Sequence, residues 1–311
     1  MHAGGPVTWD APRTFFGAPS VRELGSLDAQ VAFLGVPYDG GTPQPVIPTG
    51  QSMGPAAARQ ATAAQVEYPD GWYDVEAGRD YLGGVTMADI GDVVIQGSDV
   101  EGNYARITAA ARAIAERGAL MVAIGGDHSI SYPLGRGMEP LGGIGVVHLD
   151  AHTDFLDELD GSRLTGAGQL RRLAELSFVS HVAALGVRNV ERDEIDGIRE
   201  LGGRWATTLD VIERGPAVVV RDAVPEADSL YVSIDLDVLD SSVAPGHSLP
   251  EPGGLSYRQL RSLLIEVARR GRVVGFDVVE LNPSRDPSGA TARVAAWTIV
   301  HFLSEIFDRP R

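Results

Sequence analysis

The sequence predicts an α/β fold, a parallel β-sheet covered by helices on both faces. Two observations carry this. Short apolar runs rich in Val, Ile and Leu recur along the 311 residues, and stretches with helical periodicity separate them. Near-continuous apolar strands of this kind belong to sheets buried on both faces. No linker, internal repeat or low-complexity tract interrupts the alternation, so residues 1–311 read as a single domain.

The strands are expected, in order, at VAFLGVP (31–37), VTMADIGDV (85–93), ALMVAIGG (119–126), IGVVHLD (144–150), VAALGV (182–187), a weaker RWATTL (204–209), LYVSIDLD (230–237) and RVVGFDVVEL (272–281). The clearest helix is SYRQLRSLLIEVARRG. Ser256 and Gln259 form a capping-box pair, and Leu260, Leu263, Leu264 and Val267 make one apolar face. Gly271 stands where a C-terminal cap glycine belongs. The Pro- and Gly-rich segments 40–55 and 243–254 read as loops within the pattern. In such sheets ligands bind beyond the carboxyl ends of the strands.

Composition excludes several classes. A net charge of −16 argues against a nucleic-acid or anionic-membrane partner, since both require a basic surface. No apolar run approaches the roughly 20 residues that span a bilayer. The start, MHAGGPVTWDAPRTFF, has neither a basic segment nor an apolar stretch of signal type, so a cytoplasmic location is expected. Having no cysteine, the chain can use neither disulfides, thiolate nucleophiles nor Cys-type zinc sites.

Three segments carry metal-type ligands, each after an apolar run. AIGGDHS supplies Asp127 and His128, LDAHTD supplies Asp150, His152 and Asp154, and VSIDLDVLD supplies Asp235, Asp237 and Asp240. Residues at alternate positions of an extended segment point the same way. Asp150, His152 and Asp154 can therefore converge, with Asp235 and Asp237 meeting them from a neighbouring strand. Carboxylates crowded together repel and are costly to bury, and divalent cations remove that cost. Imidazole and carboxylate ligands without sulfur suit Mn²⁺, Fe²⁺, Co²⁺ or Zn²⁺. Two ions sharing bridging carboxylates would use the whole set and ionise a water at neutral pH. Taken singly, Asp127 reads as a helix cap and Asp235 with Asp237 as polar strand-end residues. DAHTD has no comparable structural use. Among the other histidines, His148 reads as a core residue or one behind the ligands, and His2, His181 and His301 as surface or satisfied core positions.

GGDHS, LDAHTD and SIDLDVLDSSVAPG resemble the three metal-binding signatures of the ureohydrolases, the arginase and agmatinase family. LGVPYDGGT, ADIGDV, PEPGGLSYRQL and VVGFDVVELNPSRDPSG extend the resemblance over nearly the whole chain, and the pattern is most similar to the agmatinase-like branch. The resemblance implies a three-layer α/β/α fold with a central eight-stranded parallel sheet, an arginase-like fold. It implies two Mn²⁺ per chain, hydrolysis of a small guanidino substrate to urea and an amine, and a homo-oligomer, trimer or hexamer. It places His128, Asp150, Asp154 and Asp235 on one metal and Asp150, His152, Asp235 and Asp237 on the other. Glu280 would receive the substrate guanidinium, Asp154 would pass a proton to the leaving amine, and Asp277 would be a nearby supporting acid.

Two loops depart from the family pattern, and both border the substrate chain in relatives. SRLTGAGQL puts Thr165 and Gly166 where relatives carry a histidine followed by glycine. GTPQPVIPTGQSMGP carries no arginine before Arg59. These loops argue for a guanidino compound other than free arginine, with agmatine, an ω-guanidino acid or a larger metabolite open. His247 in APGHSLPEPGG takes a position that relatives give to threonine. An imidazole there is expected either to titrate near neutrality as a proton shuttle or simply to pack under the loop or against a neighbouring subunit. A dinuclear phosphoesterase would show GNH and GHxH runs, and neither occurs. A non-catalytic metal-binding homologue is the other alternative, against which the intact ligand set weighs.

Overall fold

The computed structural model describes residues 8–9, 13–41, 49–62 and 68–307. Chain order runs through β1 (Thr8–Trp9), β2 (Val31–Val36), α1 (Gly54–Thr62), β3 (Trp72–Asp74), β4 (Arg79–Tyr81), β5 (Met87–Val93), α2 (Val100–Glu116) and β6 (Leu120–Gly125). It continues with α3 (Ser131–Arg136), β7 (Ile144–Leu149), α4 (Gln169–Ala174), β8 (Val179–Val187), α5 (Arg192–Glu200), β9 (Arg204–Thr207) and α6 (Thr208–Arg214). The last elements are α7 (Pro216–Ala223), β10 (Ala227–Asp235), α8 (Tyr257–Ala268), β11 (Gly271–Val279) and α9 (Ala290–Phe307). Among the described residues no helix is long and apolar enough to cross a membrane.

Eight strands form one parallel sheet in the order β5-β2-β6-β11-β10-β7-β8-β9, and β1 adds antiparallel to its β5 edge. Alternating side chains feed two separate cores. Val31 and Phe33 of β2 join the core under α1, α7, α8 and α9, whereas Ala32, Leu34 and Val36 join the one under α2 to α5. This is the three-layer arrangement expected from the sequence. β3 and β4 pair as a separate antiparallel hairpin. That hairpin and β1 were not expected: with two or three residues each, and Asp, Arg and Tyr among them, they show no apolar run.

Local chemistry explains several ends. The Ser256–Gln259 capping box forms as expected. The helix stops earlier than expected, however: Arg269 is its C-cap, and Gly271 instead opens β11. A Cβ on Gly271 would lie 2.2 Å from the Ala227 carbonyl oxygen, so close strand approach, not a helix cap, demands glycine here. In ADIGDV, Asp89 accepts the Phe15 N–H at 2.8 Å and the Arg59 Nε–H at 2.9 Å, and Arg59 reaches Asp92 at 2.5 Å. Arg59 and Asp89 are both buried, so this ion network ties α1 to β5.

The strand order positions the site. β6, β11, β10 and β7 are adjacent at the middle of the sheet, and beyond their ends come His128, Glu280, Asp237 and Asp150. On either side of this point the chain winds outward in opposite directions, which leaves a crevice at the strand ends.

Candidate metal centre and substrate cavity

The turn after β6 begins with Gly126, where a Cβ would sit 1.9 Å from the Tyr38 carbonyl oxygen. That close approach carries the chain into a short turn, His128–Ile130, capped by Asp127. Asp127 accepts the Ser129 N–H at 3.1 Å and the Gly41 N–H at 2.7 Å, so it serves as the cap read from the sequence. Asp240 is likewise a loop anchor, accepting from Ser242, Gly253 and Gly254.

His128 Nδ1 lies 2.9 Å from Asp150 Oδ2, 3.0 Å from Asp235 Oδ2 and 3.1 Å from Asp154 Oδ2. His152 Nδ1 lies 3.2 Å from Asp150 Oδ1 and 3.1 Å from Asp237 Oδ2. The structure thus brings all six expected metal ligands together, with Asp150 facing both imidazoles. Two overlapping groups, one on His128, His148, Asp150 and Asp154 and one on Asp150, His152 and Asp237, have ligand atoms within 4.8 Å of one another, close enough to hold an ion.

The hydrogen bonds around the cluster suit it to a cation. Asp277 accepts the Ser233 hydroxyl at 2.8 Å, so Ser233 Oγ accepts in turn from His128 Nε2–H, also at 2.8 Å. In the neutral ring this relay places the proton on Nε2 and turns the Nδ1 lone pair, the one a cation or a proton would take, toward three carboxylates. Nδ1 makes no well-formed hydrogen bond there. Burial lowers the imidazole's pKa, yet Asp150, Asp154 and Asp235 outweigh it and hold His128 well above its usual value. Burial, then repulsion from neighbouring carboxylates, pushes Asp235 well up and Asp237 to about 6. The donor set therefore draws in positive charge and fits divalent cations.

Glu280 follows β11. Its Oε1 accepts the His128 backbone N–H and its Oε2 accepts the Gln51 amide, each at 3.0 Å. Burial, with the charge of Asp127 adding to it, pushes this carboxyl up to about 8. Glu280 and Asp154 have φ of 64° and 48°, the left-handed region that costs a non-glycine residue about 1–3 kcal/mol. Glu194 holds Asp154 in place by accepting from both its neighbours, Thr153 Oγ1 at 2.8 Å and Phe155 N at 3.0 Å.

A cavity of about 170 Å³ opens onto this cluster. His128, His152, Asp154, Asp235, Asp237 and Glu280 line it, as do His247 and Ser248, with Leu156, Leu159, Ala167 and Leu249 giving apolar wall. Thr165 is not among the lining residues; its neighbours Gly166 and Ala167 are. Asp277 also lies off the cavity and acts through Ser233, which makes it a positioning residue. The near-neutral titration expected of His247 does not hold, because burial lowers its pKa to about 4. His148 stacks on His128 with ring centres 4.8 Å apart and brings Nε2 within 3.1 Å of Asp150. The alternation of DAHTD extends back to it, a signal available in the sequence. Gln51, Ser233 and Glu194 had none.

A sequence model of the arginase family matches residues 29–304. The formimidoylglutamase of Halobacterium salinarum is 35% identical over 89% of this chain and 88% of its own. The agmatinase of Pyrococcus horikoshii is 33% identical over 89% of this chain and 91% of its own. The structure of Trypanosoma cruzi formiminoglutamase with Mn²⁺ superposes with a TM-score of 0.83 at 26% identity, covering 97% of this chain and 100% of that one. With its ligand cluster at the strand ends, the chain belongs to the arginase family, metal-binding hydrolases of amidino and guanidino groups.

Proposed function

We propose that the protein is a dinuclear, manganese-dependent amidinohydrolase that releases urea from a small guanidino compound. It is agmatinase-like in that the substrate's chain bears no carboxylate. The observation that carries this reading is that metal-type ligands and the guanidinium-type acceptor Glu280 line one cavity. His128, Asp150, Asp154 and Asp235 would hold one ion, and Asp150, His152, Asp235 and Asp237 the other. When bound, the ions supply a nucleophile by ionising water at neutral pH.

The protein's own groups do the rest. Glu280, gripped by Gln51 and the His128 backbone, presents a carboxylate in a fixed plane to the planar guanidinium. That orientation turns the central carbon toward the ligand cluster, and orientation is itself a large share of catalysis. The cation in turn offsets the burial that raises the Glu280 carboxyl. Asp154, on the cavity wall, takes the proton of the attacking water on its carboxylate and hands it to the departing nitrogen. A C–O bond forms, a C–N bond breaks, and urea and the neutral amine leave, the amine then taking up a proton from solvent.

The substrate chain is constrained by charge. The sequence has no lysine, so every side-chain cation other than histidine is an arginine. No arginine lines the cavity among the described residues. Gly41 is followed by TPQPVIP, 42–48, which lies outside the described residues and carries no charged side chain. An ω-guanidino acid, favoured by similarity to a guanidinopropionase, would leave its carboxylate without a partner among the described residues. Urea release with Mn²⁺ should therefore be measured over agmatine, neutral alkylguanidines, ω-guanidino acids and arginine. The acids should rank low and arginine should not rank first. Absence of urea from every compound would overturn the reading.

A further inference from the structure

Resting on that reading, the geometry points to His247 and Ser248 as the residues that select the substrate's chain, by hydrogen-bonding an uncharged amide, carbonyl or hydroxyl carried on it. His247 is fully buried yet borders the cavity, and neither ring nitrogen makes a well-formed hydrogen bond, although the Leu249 backbone interacts with the ring. A buried polar group without a partner is costly and calls for an explanation. The loop that carries it is pinned on both sides. Gly246 N donates to Thr291 Oγ1 at 2.7 Å, its carbonyl accepts from Asn282 N at 2.7 Å, and Asn282 Nδ2 donates to Ser248 Oγ at 3.2 Å. Such anchoring holds the ring ready in place and keeps the Ser248 hydroxyl proton free to donate.

Charge argues against an anionic chain, and hydrogen bonding then favours a neutral polar one. Burial, together with the positive charges of Arg188 and Arg285, keeps the His247 imidazole neutral at physiological pH, so it offers one donor and one acceptor. Arg188 is committed to backbone carbonyls, including those of Asp237 at 2.6 Å and Glu251 at 3.0 Å. Arg285 is exposed and does not line the cavity. Apart from the metal-type ligands and Glu280, the lining carboxylate is Glu194. It already accepts from Thr153, Phe155 and Glu191. Among the described residues an anionic chain meets no positive side chain in the cavity, and the Glu194 carboxylate is turned to its own hydrogen-bond donors. A neutral polar chain meets His247, Ser248 and a wall of leucines.

Four probes of equal length test this on the Mn²⁺-loaded enzyme: agmatine, the matching ω-guanidino acid, its neutral amide, and an alkylguanidine. The amide should be preferred over the alkylguanidine by about tenfold in kcat/KM, mainly through KM, the scale of one buried neutral hydrogen bond. His247→Leu should collapse that ratio toward one with metal content retained. His247→Asn, which keeps a donor and an acceptor, should preserve part of it, and Ser248→Ala should reduce it without removing it. The acid or agmatine as the fastest probe would overturn the proposal. So would equal losses on all four probes in His247→Leu. Urea from none of the four would instead bring down the amidinohydrolase reading beneath it.

Discussion

Asp154 and Glu280 are two of five described non-glycine residues with positive φ, and both border the cavity. A side chain in that conformation crowds its own backbone, so it persists only where surrounding bonds over-determine it. For Asp154 those bonds run through Glu194; for Glu280 they run through Gly126, His128 and Gln51. The strain aims each carboxylate at a place no regular strand end would reach. Charge, more than shape, then decides what Glu280 does. Glu280→Gln keeps the shape and an acceptor oxygen but removes the charge that matches a guanidinium. Turnover on the best guanidino substrate should fall about 100-fold or more, the scale of removing one preorganised electrostatic contact. Metal content by elemental analysis should stay the same. A variant with near-normal turnover would move the guanidinium seat elsewhere.

At the scale of elements, the eight parallel strands were legible because each is a buried apolar run between turn signals, and their ends differ from expectation by a few residues. The metal ligands were legible for a related reason: a period of two at a strand end fixes direction without knowledge of the partner strand. What failed were features decided by neighbours remote in sequence. Gly271 resembles a helix cap until the Ala227 carbonyl is placed beside it. Gln51, Ser233 and Glu194 are single polar residues whose decisive partners, Glu280, His128 and Thr153, lie 229, 105 and 41 positions away. The same holds for Arg59, which ties α1 to β5 through two aspartates and lies over the Phe15 ring at 4.4 Å. Arg59→Leu should destabilise the fold by about 3–5 kcal/mol, because Asp89 remains buried without its counter-charge. Denaturant unfolding measures this, and a change below about 1 kcal/mol would show that the network is not what joins helix to sheet.

For the whole molecule, the strand order gathers four aspartates and two imidazoles at the centre of a chain already carrying a net charge of −16. Nothing else in the cavity offers compensating positive charge, since no arginine lines it among the described residues. Long-range repulsion from an acidic surface and short-range repulsion within the cluster therefore act in the same direction. Both weaken the compact state unless cations occupy the site. The unfolded chain scatters these ligands over more than a hundred residues, so divalent ions bind the folded form far better and stabilise it by mass action. At about 100 times the dissociation constant, one ion contributes about 2.7 kcal/mol. In a domain of this size that raises the melting temperature by on the order of 5 °C, and a second ion adds to it. Calorimetry of chelator-treated protein against Mn²⁺ should show a rise that continues past one equivalent of metal. Asp150 faces both imidazoles, so Asp150→Ala should abolish most of the rise, whereas Asp240→Ala, a loop anchor, should lower the starting temperature and leave the rise intact. A melting temperature indifferent to Mn²⁺, or one saturating at a single equivalent, would contradict a paired-metal centre built into the sheet.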